Sequence, residues 1–246
     1  MRAWSASYLF FLVWLQWVDR RATSSFLVGV SLQIVVLGMG LWQLRGEPGE
    51  VVLAGAVRAV LLVGTAVCAL SAMSAFQNEF RFQTIWQTFR DPAAFSRLML
   101  ARALAMTAIT AVPLALPFVV AVLIGPQDAW LALGMYVMSL LVLTAYTHVL
   151  TLGLAVAYRP AQLVPWIRQA VMVVALGTVT FLSPVWLRQL FPFVWLERMA
   201  VPGMFWPATG ATVGLTVAWW ALAYLLLAPA ARSVVQRRLL DNVESR

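Results

Sequence analysis

Residues 130–158 read WLALGMYVMSLLVLTAYTHVLTLGLAVAY, a run without a single Asp, Glu, Lys or Arg. A helix crosses the hydrocarbon core of a bilayer with about 20 mostly apolar residues. This run is long enough to span, and nothing in it offers a surface to water. The rest of the chain is read outward from it.

Upstream, Gly125-Pro126-Gln127-Asp128 separates it from a second apolar run, residues 98–124. Gly and Pro punctuate helices, so this loop predicts a tight hairpin. A similar loop, Arg45-Gly46-Glu47-Pro48-Gly49-Glu50, parts residues 25–44 from residues 51–76. Downstream come residues 165–186, interrupted by Gly177 and Pro184, and residues 208–231. The expected fold is an all-α membrane protein, one transmembrane domain over residues 1–246 with six transmembrane helices.

Composition agrees with the runs. Of the 246 residues, 63% are hydrophobic and 11% charged. Soluble domains carry about a quarter charged residues, so this chain lacks the charge to coat a water-facing surface of its size. The net charge of +8 comes from 17 basic residues, all of them arginine. They lie in short loops between apolar runs, which argues for orientation signals rather than a nucleic-acid partner. With the N-terminus placed in the cytoplasm, the inner segments hold Arg2, Arg20, Arg21, Arg81, Arg90, Arg97, Arg102, Arg159, Arg168, Arg232, Arg237, Arg238 and Arg246. The outer ones hold only Arg45, Arg58, Arg188 and Arg198. That asymmetry predicts both termini inside and an even number of spans. Cys68, the single cysteine, lies in an apolar run and reads as a small buried hydrophobe.

Three segments are not simple spans. Residues 3–20, centred on Trp4–Val18, are aromatic, short and closed by Asp19-Arg20-Arg21. They predict an interfacial helix on the cytoplasmic leaflet, with a seventh short span as the alternative. Residues 78–91 lie in the longest cytoplasmic connection. There Phe82, Ile85, Trp86 and Phe89 recur at helical spacing and make one apolar face, and Asp91-Pro92 ends it. Such a helix either rests on lipid or docks a soluble partner. Residues 187–207, with Phe191-Pro192-Phe193, Glu197-Arg198, Pro202-Gly203 and Trp206-Pro207, are too apolar for a free loop and too broken for one span. They predict two short, partly re-entrant helices capping the outer side.

Chemistry is sparse. His148 is the only histidine and sits in mid-run with no carboxylate within one helical turn. No metal-ligand spacing, no Gly-x-Ser-x-Gly and no Gly-x-x-x-x-Gly-Lys-Ser/Thr loop occurs. No Asp or Glu lies at the centre of a span, which argues against ion-coupled transport. Arg58, about two turns into the second run, either snorkels outward or pairs with Glu197. The chain reads as a pathway without an engine.

This organisation resembles the ABC-2 type transporter permeases, the membrane subunits of type V ABC exporters. The resemblance covers nearly the whole chain. It rests on an interfacial helix, two spans, a cytoplasmic coupling helix, three spans, a broken outer segment and a last span. The family's connection after the second span carries Glu, then Gly-Thr-Leu, then a Ser-Pro-like turn. Here Glu79, Thr84, Ile85 and Asp91-Pro92 match those places. Gln83 stands where glycine is common, and Trp86 and Phe89 where smaller residues are.

The resemblance implies a prokaryotic cell membrane and pairing with a second permease, identical or not. Two ABC ATP-binding subunits would bind below, carrying ATP and Mg. No cofactor sits on this chain itself. Glu79, Arg81, Phe82, Thr84, Ile85, Trp86, Phe89 and Arg90 would form the docking helix. Gln33, Met39 and Trp42 on the first span, with Thr180 and Ser183 on the fifth, would line the pathway. A neutral, aromatic, Met-containing lining suits a hydrophobic or amphipathic cargo such as a drug, peptide or lipid. Two other classes compete: an intramembrane enzyme acting on lipid or peptide, and the substrate-binding subunit of a small-molecule importer.

Overall fold

The computed structural model describes residues 35, 38–61, 63–64, 92–124, 128–157 and 189–244, and among these every regular element is a helix. In chain order we label them α1 (residues 38–42), α2 (49–61), α3 (Pro92–Ile124), α4 (Ala129–Ala157), α5 (Pro192–Arg198) and α6 (Phe205–Glu244).

The helix ends follow local chemistry. Gly46, at φ 94°, supplies the left-handed residue of the turn between α1 and α2. Pro48 then precedes α2 and its carbonyl accepts from the Val51 and Val52 amides. Asp128 caps α4, its Oδ1 accepting from the Trp130 amide at 2.9 Å. α3 opens on Pro92, where a missing N–H costs nothing.

Two stretches are long and apolar enough to cross a membrane, Ala129–Val149 in α4 and Phe205–Ala230 in α6. A third is α3 if its two limbs, Met99–Ala108 and Thr110–Ile124, count as one span bent by 44°. The bend lies one turn before Pro113, whose ring clashes with the carbonyl four residues back. Thr107 and Thr110 also bond back to the Ala103 and Met106 carbonyls at 2.9 and 2.8 Å. Such back-bonding favours bending.

The packing fixes the relative directions. α3 and α4 form an antiparallel hairpin. Tyr136 donates to the Ala111 carbonyl at 2.6 Å, and further along α4 the Thr144 hydroxyl lies 3.1 Å from that of Thr107. α4 and α6 run parallel. Near their starts Gly134 faces the Phe205 ring, and well along both Trp220 bonds His148. The chain after Ala157 therefore returns to the end where α4 began before α6 starts. α2 inserts beside this pair, with Gly64 against Leu114 and Leu143. Leu53, Val57, Val60, Leu114, Met135, Leu143 and Leu196 make up much of the shared core.

The outward faces are apolar as well. Val112, Leu116, Val119 and Leu123 form one exposed stripe, and Trp130, Leu133, Val137 and Leu141 another. Helices apolar all round suit hydrocarbon rather than water.

Several boundaries differ from those read in the sequence. The first, second and fifth predicted spans lie wholly or partly outside the described residues, as do the interfacial helix 3–20 and the coupling helix 78–91. The described part of the predicted cap holds one seven-residue helix, α5, rather than two. Phe205, Trp206 and Pro207 belong to α6 instead, because proline in a first turn removes no intrahelical bond. α6 also continues well past residue 231, to Glu244. Hydropathy ends the apolar run there, but Gln, Arg and Leu are good helix formers and carry the backbone on.

Candidate functional site

The connection before α6 does not lie across the end of the bundle. Leu190 and Phe191 meet Trp219, which is about 21 Å along α6 from Phe205 at about 1.5 Å per residue. The Trp219 indole donates to the Leu190 carbonyl at 2.6 Å, and its ring stacks on Phe191 at 5.7 Å. From that depth α5 climbs beside α6 toward the Phe205 end. Its own residues brace it. Trp195 donates to the Gln189 carbonyl at 2.8 Å, and the Arg198 guanidinium lies 4.8 Å over the Trp195 ring. Leu196 and Met199 are buried in the core. The turn at Gly203, φ 79°, then leads into α6.

Glu197 meets Arg58 of α2 here. Arg58 Nε and Nη2 donate to Glu197 Oε1 and Oε2, both at 2.8 Å. Of the two arrangements open to Arg58 from the sequence, the structure adopts the ion pair. The forked geometry matches guanidinium to carboxylate and is the strong form of such a pair. Arg58 lies about 14 Å along α2 from Gly49, at about 1.5 Å per residue. Its side chain is 65% exposed and that of Glu197 19%. Val57, Ala59 and Val60 beside it are buried.

Among the pathway residues expected from sequence, Met39 and Trp42 fall on α1 and both are exposed, at 67% and 52%. Gln33, Thr180 and Ser183 lie outside the described residues. So do Glu79, Arg81, Phe82, Thr84, Ile85, Trp86, Phe89 and Arg90.

A second polar feature lies deeper. Trp220 donates its indole N–H to His148 Nδ1 at 2.6 Å. The His148 ring also packs near Tyr224, 6.0 Å between centroids. Nε2 of His148, Oη of Tyr146 and Oγ1 of Thr212 are buried without a hydrogen-bond partner among the described residues. Three other hydroxyls bond back to their own helices. Ser139, Thr147 and Thr216 donate to the Met135, Leu143 and Thr212 carbonyls. No group of three His, Cys, Asp or Glu gathers among the described residues. Sequence reasoning missed the Trp220 partner of His148. No signal within either helix points to it, because the two side chains meet only through the register between α4 and α6.

Comparison of the chain with family models, with curated proteins and with solved structures finds no match.

Proposed function

We propose that this chain is the membrane subunit of an ATP-driven exporter of the ABC-2 permease type, crossing the membrane six times with both termini in the cytoplasm. The observation that carries the reading is the parallel packing of α4 and α6. Two parallel spans need a return crossing between them. Residues 165–186 are the apolar run available for the part of it before Leu190, and the segment 189–204 completes it from the depth of Trp219 before the last span. A return span, a broken segment and a final span is the order on which the resemblance rests. The antiparallel α3–α4 hairpin supplies the pair before it.

In this reading ATP and Mg bind two partner subunits below the membrane. Their closure moves the helix 78–91, with Phe82, Ile85, Trp86 and Phe89 as its docking face. Two permeases enclose the pathway between them. The exposed Met39 and Trp42, together with Gln33, Thr180 and Ser183, form its lining. An aromatic and thioether lining with few charges suits a hydrophobic or amphipathic cargo.

The test is assembly. Ile85→Asp and Trp86→Asp put charges on the docking face while leaving the spans untouched. Each variant is co-expressed with the ATP-binding subunit and purified. The expected result is loss of the complex and of ATPase activity tied to the membrane subunit. Unchanged assembly and unchanged ATPase rate sink the proposal.

A further inference from the structure

We propose that the Arg58–Glu197 pair stands in the wall of a water-filled vestibule that opens at the Gly46 and Gly203 turns and reaches at least to the level of Arg58. The inference rests on the membrane-spanning reading above and adds where water enters it.

Depth is the first observation. Gly64, three residues past α2, lies against Leu143, well inside the apolar stretch Ala129–Val149 of α4. Arg58 is about 9 Å nearer the loop end than Gly64, at about 1.5 Å per residue. That still leaves it beside the apolar part of α4 rather than above it.

Unmet hydrogen bonding is the second. Arg58 spends two of its N–H donors on Glu197, and a guanidinium has five. The remaining donors belong to a side chain that is 65% exposed. Hydrocarbon accepts no hydrogen bonds, so lipid cannot cover this face.

The mouth is the third. Val201, Pro202 and Gly203, in the turns that lead into the apolar stretch of α6 at Phe205, are exposed, and the ion pair ties that segment to α2. A wet wall of this kind receives the polar end of an amphipathic cargo while Met39 and Trp42 meet its apolar part.

Thiol accessibility tests this. Reaction needs the thiolate, which forms in water and not in hydrocarbon. Single cysteines are placed in a Cys68→Ala chain reconstituted in sealed vesicles. A charged, membrane-impermeant methanethiosulfonate is added from either side. Ala54→Cys lies one turn from Arg58 toward the loop end and leaves the ion pair intact. Arg58→Cys probes the level itself. Trp130→Cys marks the loop end, and Leu222→Cys the apolar face of α6.

The expected result is that Ala54→Cys and Arg58→Cys react from the side that labels Trp130→Cys, within about tenfold of its rate. Leu222→Cys should react at least about a hundredfold more slowly. Rates at positions 54 and 58 as slow as at 222 overturn the vestibule and leave the spans standing. So does an oxidative disulfide between two copies at position 58 in a chain the reagent cannot label, because a second copy then covers the face. Fast reaction at position 222 removes the membrane-spanning reading, and the vestibule with it.

Discussion

Trp220 of α6 donates its indole N–H to Nδ1 of His148 on α4, and this one bond decides which nitrogen of the neutral imidazole carries the proton. An indole N–H only donates, so Nδ1 accepts and the proton sits on Nε2. That N–H is buried without a partner among the described residues. The bond also holds two parallel spans in register, some 72 residues apart in sequence.

Trp220→Phe should therefore orphan both ring nitrogens and lower stability by about 1 kcal/mol, within the usual range for a bond between spans. His148→Leu combined with Trp220→Phe removes both partners of the bond and should lie closer to wild type than Trp220→Phe alone. Unfolding in mild detergent, followed by denaturant titration, measures the order. An enzyme reading of His148 gains ground only if His148→Ala abolishes function in a chain that folds and assembles normally.

The ion pair between α2 and α5 should behave as a pair. Arg58→Gln or Glu197→Gln alone should each loosen α5, at a cost of about 1 kcal/mol. The exchange Arg58→Glu with Glu197→Arg should recover most of that. The readout is protease resistance of the 189–204 segment, and an exchange no better than either single change refutes the coupling.

Gly64 sits where α2, α3 and α4 converge. A Cβ built there lies 2.8 Å from Leu143 Cδ2 and 3.1 Å from Leu114 Cδ1. Leucine tips can yield to a methyl, so Gly64→Ala should be mild. Gly64→Val should overpack the junction at a cost of about 1–3 kcal/mol. Gly134→Ala is the control, because the nearest Phe205 atom is 3.7 Å away, ordinary contact. Thermal aggregation of the detergent-solubilised chain ranks the three.

Orientation has its own check. Arg237 on the far part of α6 is exposed. In the Cys68→Ala chain, Arg237→Cys should label from the side opposite to Trp130→Cys, and in cells that side should be the cytoplasm. Labelling of both from one side contradicts a single crossing by α4 and by α6.

How much of this the sequence reveals depends on whether the cause is local. The run from Trp130 to Tyr158 marks α4 to within a residue at each end, because spanning a bilayer is a matter of consecutive apolar residues. Pro207 misleads, since proline breaks a helix interior but not its first turn, and composition does not say which applies. The end of α6 misleads for the opposite reason: apolar content stops where helix propensity does not. Arg58 leaves two options in sequence because its partner is 139 residues away, and only the packing of α5 against the bundle brings Glu197 within reach. His148 and Trp220 are likewise joined by register between helices, which no periodicity within either helix records. The coupling helix is legible only as a pattern on Phe82, Ile85, Trp86 and Phe89, and it lies outside the described residues.

The length of α6 has a mechanical consequence. Its 40 residues extend about 60 Å, twice the roughly 30 Å of hydrocarbon it has to cross. The part beyond Ala230 is a rod of about 20 Å standing clear of the apolar stretch. A lever of that length turns a 10° tilt of the last span into a sweep of roughly 3–4 Å at its tip. Pro229 sits at the fulcrum, where the rod leaves the apolar stretch. If the proposed exporter rocks as it works, a tilt too slight to notice among the packed helices is thereby enlarged at the far end of α6.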